Sequence, residues 1–363
     1  MKEHPTQAVL YKKTVDPIVT DGRDIDCDLA ELSGEGSHQS VAPSVLSRDG
    51  RRKPATHAGQ IPAGPAYYDL PMLKKPVWSI DIPLYYFVGG AAGAALVLGA
   101  AVQVRNEPGL RELARDCHWI GIAGSTLGAG FLIHDLGVPS RFLNMVRVFR
   151  PTSPMNIGAW ILGGAAPTAI ATGLLINRPG WLGAIGEIAG YLSGLFGAGL
   201  TGYTGVLVAN SAIPVWQQAR QWMPVLFVAS SIASAGSLLS LVYDNPAANR
   251  VTFLFGTAGR LAELAAAHRV EKSAAALPKV NQPLHSGATG VLWKAATGLA
   301  AASLVLSVVP GKSSGRRKLA GLLGTLGSLA MRFAVHYISN ASARDPRASF
   351  HQQRARMSSV AGQ

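Results

Sequence analysis

"HDLGVPSRFLNMVRVFRPTSPM", residues 134–155, separates two long apolar segments and decides how the rest of the chain is read. It places a histidine, an aspartate and three arginines (Arg141, Arg147 and Arg150) where an apolar helix ends, in a chain that is otherwise sparing with charge. Gly137, Pro139, Pro151 and Pro154 interrupt helical continuity. They predict a compact re-entrant path, because polar backbone at the edge of hydrocarbon must find hydrogen-bond partners. Phe142, Leu143, Met145, Val146, Val148 and Phe149 are then expected in the membrane interface or beneath another protein, with the arginines turned to headgroups or an acidic docking surface.

The surrounding composition points the same way. Of 363 residues, 48% are hydrophobic and only 15% charged, with 41 glycines, a balance that reads as an all-α integral membrane protein rather than a soluble domain. Ten of the 20 acidic residues and 10 of the 33 basic ones precede residue 76, so the whole net charge of +13 belongs to the apolar part. Basic residues in short connections suit anionic headgroups or an acidic partner. Nucleic acid is disfavoured, because no basic surface interleaved with aromatics is present. Cys27 and Cys117 cannot supply a four-thiolate cluster and there is no C-x-x-C-H, so any iron–sulfur centre is expected on another subunit. "MKEHPTQAVLYKKTVDPIV" has no apolar core of signal-peptide length, which leaves insertion to the first apolar segment.

Three regions follow. Residues 1–76 mix Pro, Gly, Ser, Asp and Arg without apolar periodicity, which predicts a mobile or partner-wrapping N-terminal arm. Residues 77–340 hold eight segments long enough to cross the bilayer, near 80–104, 116–136, 155–177, 184–209, 221–243, 250–270, 288–309 and 317–339. Arg260 and Glu263 interrupt the sixth, and Arg332 the eighth. Residues 341–363 are expected to be a basic tail. Small residues recur at Gly89, Gly90 and Gly93 and at Gly190, Gly194, Gly197 and Gly199, which predicts a tightly packed eight-helix transmembrane bundle rather than a wide pore.

"DLGVPSRFLNMVRVFRPTSPMNIGAW", from Asp135 to Trp160, resembles the signature of the NrfD/PsrC family, the membrane-anchor subunits of polysulfide-reductase-type molybdoenzymes and related quinone-linked complexes. "WSIDIPLYYFVGGAAGA" at 78–94, "GYTGVLVANSAIPVW" at 202–216 and "LFVASSIASAG" at 226–236 follow in the family's order. Val138 departs from the pattern, standing where a basic residue is expected before the proline. The resemblance implies a quinone-reactive or non-catalytic subunit of an oxidoreductase in a bacterial inner membrane. It further implies binding of menaquinone or ubiquinone, no haem or cluster in this chain, and electron exchange with a ferredoxin-like iron–sulfur subunit and, beyond it, a molybdopterin subunit.

Handling a quinone requires hydrogen-bond partners for two carbonyl oxygens and a group able to exchange protons. Ionisable residues are costly in lipid and therefore functional candidates. His134 and Asp135, at the end of the second segment, are the first; their other reading is a carboxylate capping loop amides beside a histidine paired with a carbonyl. Tyr203 offers a phenol on the fourth segment, where the resemblance points to a tyrosine ligand, and competes with an interfacial anchor. Asp81 and Tyr85 share a face of the first helix, as quinone-binding candidates or as a headgroup-level pair. Arg141, Asn144, Arg147, Arg150 and Ser153 are the partner-docking candidates of the loop. Glu187, Arg260 and Glu263 are placed deeper, as a structural ion pair or a proton path. The alternatives in other classes are a secondary transporter of a small solute or proton-coupled carrier, against which no internal repeat is visible, and a purely structural anchor.

Overall fold

The computed structural model describes residues 78–242, 245–309 and 313–352, together with 25–26, 31–32, Leu73 and Pro76. The chain divides into Met1–Met72 and Leu73–Gln363. In the first unit β1 (Ile25–Asp26) pairs antiparallel with β2 (Glu31–Leu32), Ile25 opposite Leu32. The rest of the expected arm, and with it the question of its mobility, lies outside the described residues apart from Leu73 and Pro76.

Every regular element described in the second unit is a helix. It comprises α1 (Asp81–Arg105), α2 (Arg111–Asp135), α3 (Ser140–Arg147), α4 (Pro154–Leu175), α5 (Trp181–Ala209), α6 (Pro214–Gln218), α7 (Met223–Val242), α8 (Pro246–Ala275), α9 (Pro278–His285), α10 (Gly287–Val308) and α11 (Ser314–Arg344). Helix starts follow local chemistry. Pro154, Pro214, Pro246 and Pro278 open their helices, where the missing N–H costs nothing. Ser153, Asn245 and Ser313 accept from backbone amides of the first turn.

All eight expected segments are long helices, and six of them, α1, α4, α5, α7, α10 and α11, are long and apolar enough to cross a membrane. The other two, α2 and α8, are not among the six. In α2, Arg111, Glu112, Arg115 and Asp116 at one end and His134 and Asp135 at the other flank an uncharged stretch from Cys117 to Ile133. In α8, charge runs from Arg250 to Lys272. Of the two interrupted segments, the eighth nevertheless qualifies despite Arg332.

Successive long helices are antiparallel. Gly128 of α2 lies against Tyr85 of α1 while Gly121 meets Leu96; Gly158 of α4 lies against Tyr203 of α5 while Gly164 meets Phe196; Gly236 of α7 meets Gly256 of α8. The expected small-residue packing is explicit where α1 crosses α5. A Cβ on Gly93 would stand 2.6 Å from the Gly197 carbonyl oxygen, and one on Gly197 would stand 2.7 Å from that of Gly93. Neither position can carry a side chain without separating the two backbones, the arrangement by which lipid-embedded helices gain dispersion energy. α1, α5, α7 and α11 form the centre of the bundle, with α2 and α4 packed on one side and α8 and α10 on the other.

Part of the segment expected to be a basic tail is helical. α11 runs to Arg344, residues 346–352 are again helical, and Ala348 and Gln352 are buried. The Gln352 side-chain amide donates to the Pro214 carbonyl at 3.0 Å, so this segment is sewn to α6; residues beyond 352 lie outside the described ones.

Candidate functional site

The antiparallel order brings the start of α1, the end of α2, the start of α4 and the end of α5 to one end of the bundle, here the proximal end. Asp81 is the first residue of α1 and His134 and Asp135 are the last of α2. His134 Nδ1 lies 2.7 Å from Asp81 Oδ2, with the imidazole 80% exposed and the Asp81 side chain only 13% exposed. Ser79 ties the second carboxylate in. Its backbone N–H donates to Asp135 Oδ1 at 2.9 Å, and its hydroxyl lies 2.6 Å from the same oxygen and 2.8 Å from Asp81 Oδ2. One hydroxyl proton serves one carboxylate at a time, so Ser79 is a switchable donor between Asp81 and Asp135. Asp135 therefore does cap a backbone amide, but that of Ser79, while His134 pairs with a carboxylate instead of a carbonyl.

One turn further along α1, the proximal core is aromatic. Tyr85 and Tyr203 are both buried, with ring centroids 6.3 Å apart. Tyr86 packs 6.5 Å from Trp78 and 5.5 Å from Phe227. Glycine makes room for two of these rings: a Cβ on Gly158 would lie 2.0 Å from the Tyr203 ring, and one on Gly128 would lie 3.0 Å from that of Tyr85. The hydroxyls of Tyr85 and Tyr86 are buried and have no hydrogen-bond partner among the described residues. A buried donor left unmade costs about 1–3 kcal/mol, so the two phenols leave hydrogen-bonding capacity in this layer that the described residues do not use. Tyr86 was not singled out by sequence reasoning; in "YYF" nothing separates it from its neighbour, and only its burial beside Phe227 does so.

The loop that follows is more ordered than a re-entrant coil. Gly137, at φ +67°, turns the chain out of α2, and α3 then forms a short amphipathic helix. Phe142, Met145 and Val146 are half-buried on its inner face, whereas Leu143, Asn144 and Arg147 are exposed. Arg150 is exposed beyond its end; Arg141 lies on α3 but its side chain is outside the described residues. Exposed Leu143, Val148, Phe149 and Met155 accompany the arginines. The loop is anchored by Asn156, a residue sequence reasoning missed. Its amide donates to the carbonyls of Met145 at 2.6 Å and Val148 at 2.9 Å, and its carbonyl accepts from Arg150 N–H at 2.6 Å. Ser153 caps α4 through the Asn156 N–H at 3.4 Å, a structural task for a residue expected to dock a partner. The available signal was S-x-x-N at a helix start.

The expected deep ionisable residues do not share one environment. Glu187 is exposed on α5, and its backbone carbonyl accepts from Gln103 of α1 at 3.0 Å. Arg260 and Glu263 are buried, and the third member is Arg332. Arg260 donates to Ser307 at 2.8 Å and Ser237 at 3.3 Å, and Glu263 accepts from Ser328 at 3.4 Å. Arg332 donates to the Phe227 carbonyl at 2.9 Å and to Ser231 at 3.0 Å, with its guanidinium 4.1 Å from the centre of the Phe227 ring. Buried charge thus reaches the aromatic layer below the proximal carboxylates. His118, near the far end of α2, is also buried and fits against Gly99.

A family model described as polysulphide reductase, NrfD, matches residues 70–264, more than half of the chain and all of the helices that build the proximal cluster. A search of the curated proteins finds no match. With the motifs of the loop, the helical membrane architecture and this match in agreement, the chain belongs to the NrfD family of polysulphide-reductase-type membrane subunits.

Proposed function

We propose that the chain is the membrane subunit of a quinone-linked oxidoreductase and that it receives a quinone or quinol at the proximal end. The observation that carries the reading is the meeting of His134, Asp81 and Asp135, from two helices, directly above a layer holding two buried phenols without partners. A quinol supplies two electrons and two protons, and its oxygens need donors in a dry setting and a route for protons to water. The hydroxyls of Tyr85 and Tyr86 are donors of that kind, and Tyr203 closes the same layer against Tyr85. The Asp81 side chain is largely covered and that of His134 exposed, so in this reading the 2.7 Å contact between them is the step by which a proton leaves the proximal end for water. An imidazole is the side chain best suited to release or take a proton near neutral pH.

All eight long helices cross the membrane in this reading. α2 packs between α1 and α4, and α8 against α7 and α10, each antiparallel to a neighbour that is itself long and apolar enough to span. The charges of α2 sit at its ends, and Arg260 and Glu263 of α8 face the interior. Arg260, Glu263 and Arg332 are the buried groups available to a proton path, with Glu187 on the outer side of α5. Exposed Arg147 and Arg150 with Leu143, Val148 and Phe149 form the proximal docking surface for a ferredoxin-like iron–sulfur subunit, which passes electrons to or from a molybdopterin subunit. The setting is a bacterial inner membrane, and the quinone is menaquinone or ubiquinone.

The test is quinol-dependent turnover of the purified complex carrying His134→Gln, Asp135→Asn or Tyr203→Phe. Each is expected to lower turnover at least tenfold while the iron–sulfur subunit still co-purifies. Full activity in all three assembled variants would overturn the site. Solute uptake by liposomes containing this chain alone would instead support the transporter class.

A further inference from the structure

Ser79, a residue sequence reasoning missed, is the junction of the proximal cluster. Its Oγ lies 2.6 Å from Asp135 Oδ1 and 2.8 Å from Asp81 Oδ2, and His134 Nδ1 lies 2.7 Å from that same Asp81 oxygen. Asp135, Ser79, Asp81 and His134 are therefore joined, in that order, in an unbroken line of short contacts. Backbone amides hold the middle of the line in place. The Ser79 N–H donates to Asp135 Oδ1 at 2.9 Å, and the Asp81 N–H donates to Ser79 Oγ at 3.2 Å.

The order of the groups matters chemically. A hydroxyl is donor and acceptor at once, so between two carboxylates it can take a proton from one while giving its own to the other. A methyl group in its place can do neither. The two ends of the line also differ in surroundings. The His134 imidazole is 80% exposed, whereas at the other end the Asp135 charge acts on the phenol of buried Tyr86. The line thus runs from the aromatic layer to water.

We propose that Ser79 is the relay between the two carboxylates. A proton released in the aromatic layer is taken by Asp135. The Ser79 hydroxyl accepts it while passing its own proton to Asp81, and Asp81 hands that proton to His134 Nδ1, whose ring releases one from Nε2 to water. Only O–H and N–H bonds are made and broken, and rotation of the hydroxyl from Asp135 back to Asp81 readies the line for a second proton. The relay rests on the quinone reading, in which a quinol becomes a quinone by giving two electrons to the iron–sulfur subunit and two protons to this line. Ser79 acts through Asp135 and Asp81, as a positioning residue.

The test uses the assembled complex with decylubiquinol and a dimethylnaphthoquinol as donors. Ser79→Ala and Ser79→Thr are compared with His134→Gln and Asp135→Asn. Ser79 is exposed, so water can stand in for part of the lost hydroxyl, and Ser79→Ala is expected to lower kcat about fivefold rather than abolish it. KM for the quinol is expected to stay within about twofold and the solvent deuterium isotope effect on kcat to rise. Ser79→Thr, which keeps the hydroxyl, is expected to restore kcat. A serine that only ties the start of α1 to the end of α2 predicts instead a lowered thermal midpoint, with kcat per assembled complex and the isotope effect unchanged. That result, or a fall in kcat that threonine does not reverse, would overturn the relay. Full kcat in Ser79→Ala beside losses in His134→Gln and Asp135→Asn would overturn the role of Ser79 and leave the quinone reading standing. Full activity in all four variants would overturn the quinone reading and the relay with it.

Discussion

Asn156 gives the sharpest test of how the proximal loop is held. Asn156→Ala removes three side-chain hydrogen bonds, to Met145, Val148 and Arg150, and leaves the Ser153 cap on the backbone of α4 in place. At about 0.5–1.5 kcal/mol each, the clamp contributes about 1.5–4.5 kcal/mol to the closed loop. The lower half of that range applies, because Val148 is exposed and Met145 half-buried, so water can replace part of what is lost. Opening of the loop should then become about tenfold to a hundredfold more frequent. Limited trypsin digestion reads this at the Arg147–Val148 bond, since Arg150 is followed by Pro151 and resists cleavage. When reclosing outpaces cutting, the cleavage rate follows the open population. Cleavage at Arg220, in a separate connection, serves as the internal control. Asn156→Asp, which sets carboxylate oxygens against two carbonyls, is expected to be at least as damaging. Cleavage at Arg147 within twofold of the unsubstituted protein in both variants, with Arg220 unchanged, would refute the clamp.

Two further outcomes follow from packing. Gly158→Val should cost about 1–3 kcal/mol, seen as a lowered thermal midpoint in detergent, because its Cβ falls on the Tyr203 ring; adding Tyr203→Ala should recover most of the loss, and no recovery would mean the strain lies elsewhere. Glu263→Leu removes the buried carboxylate whose charge acts on buried Arg260 and Arg332 and should lower size-exclusion yield, whereas the double change with Arg332→Met should be milder; equal losses would count against a charge-balanced interior.

The positions of the long helices were legible because apolar run length is set by the bilayer and the breakers between runs are prolines and glycines. The pair Asp81 and Tyr85 was readable as one helix face, since their spacing is local. The contact of Asp81 with His134 was not, because the two are 53 residues apart and nothing in either neighbourhood names the other. α3 was read as part of a re-entrant path because its prolines break helical continuity, whereas Pro139 and Pro151 flank Ser140–Arg147 and leave it free to form a helix. The outward facing of Glu187 was not legible because a position in a segment gives depth but not facing. Its segment is apolar on every side, so periodicity could not tell which face turns outward.

What the sequence by itself determined is the class of the protein: a helical membrane subunit, its breaks, its basic loop and the family whose motifs it carries. These depend on composition and local order, which a linear chain displays in full. What only the tertiary structure decided is which polar groups share a site. Ser79 joins Asp81 to Asp135, Tyr86 holds a buried hydroxyl with no partner among the described residues, Asn156 closes the loop, and arginines of two helices line one cavity. The physical reason is that lipid-embedded helices are nearly uniform in hydrophobicity. Their rotation and pairing are therefore chosen by close contacts such as Gly93 on Gly197, which come into being only when the helices meet.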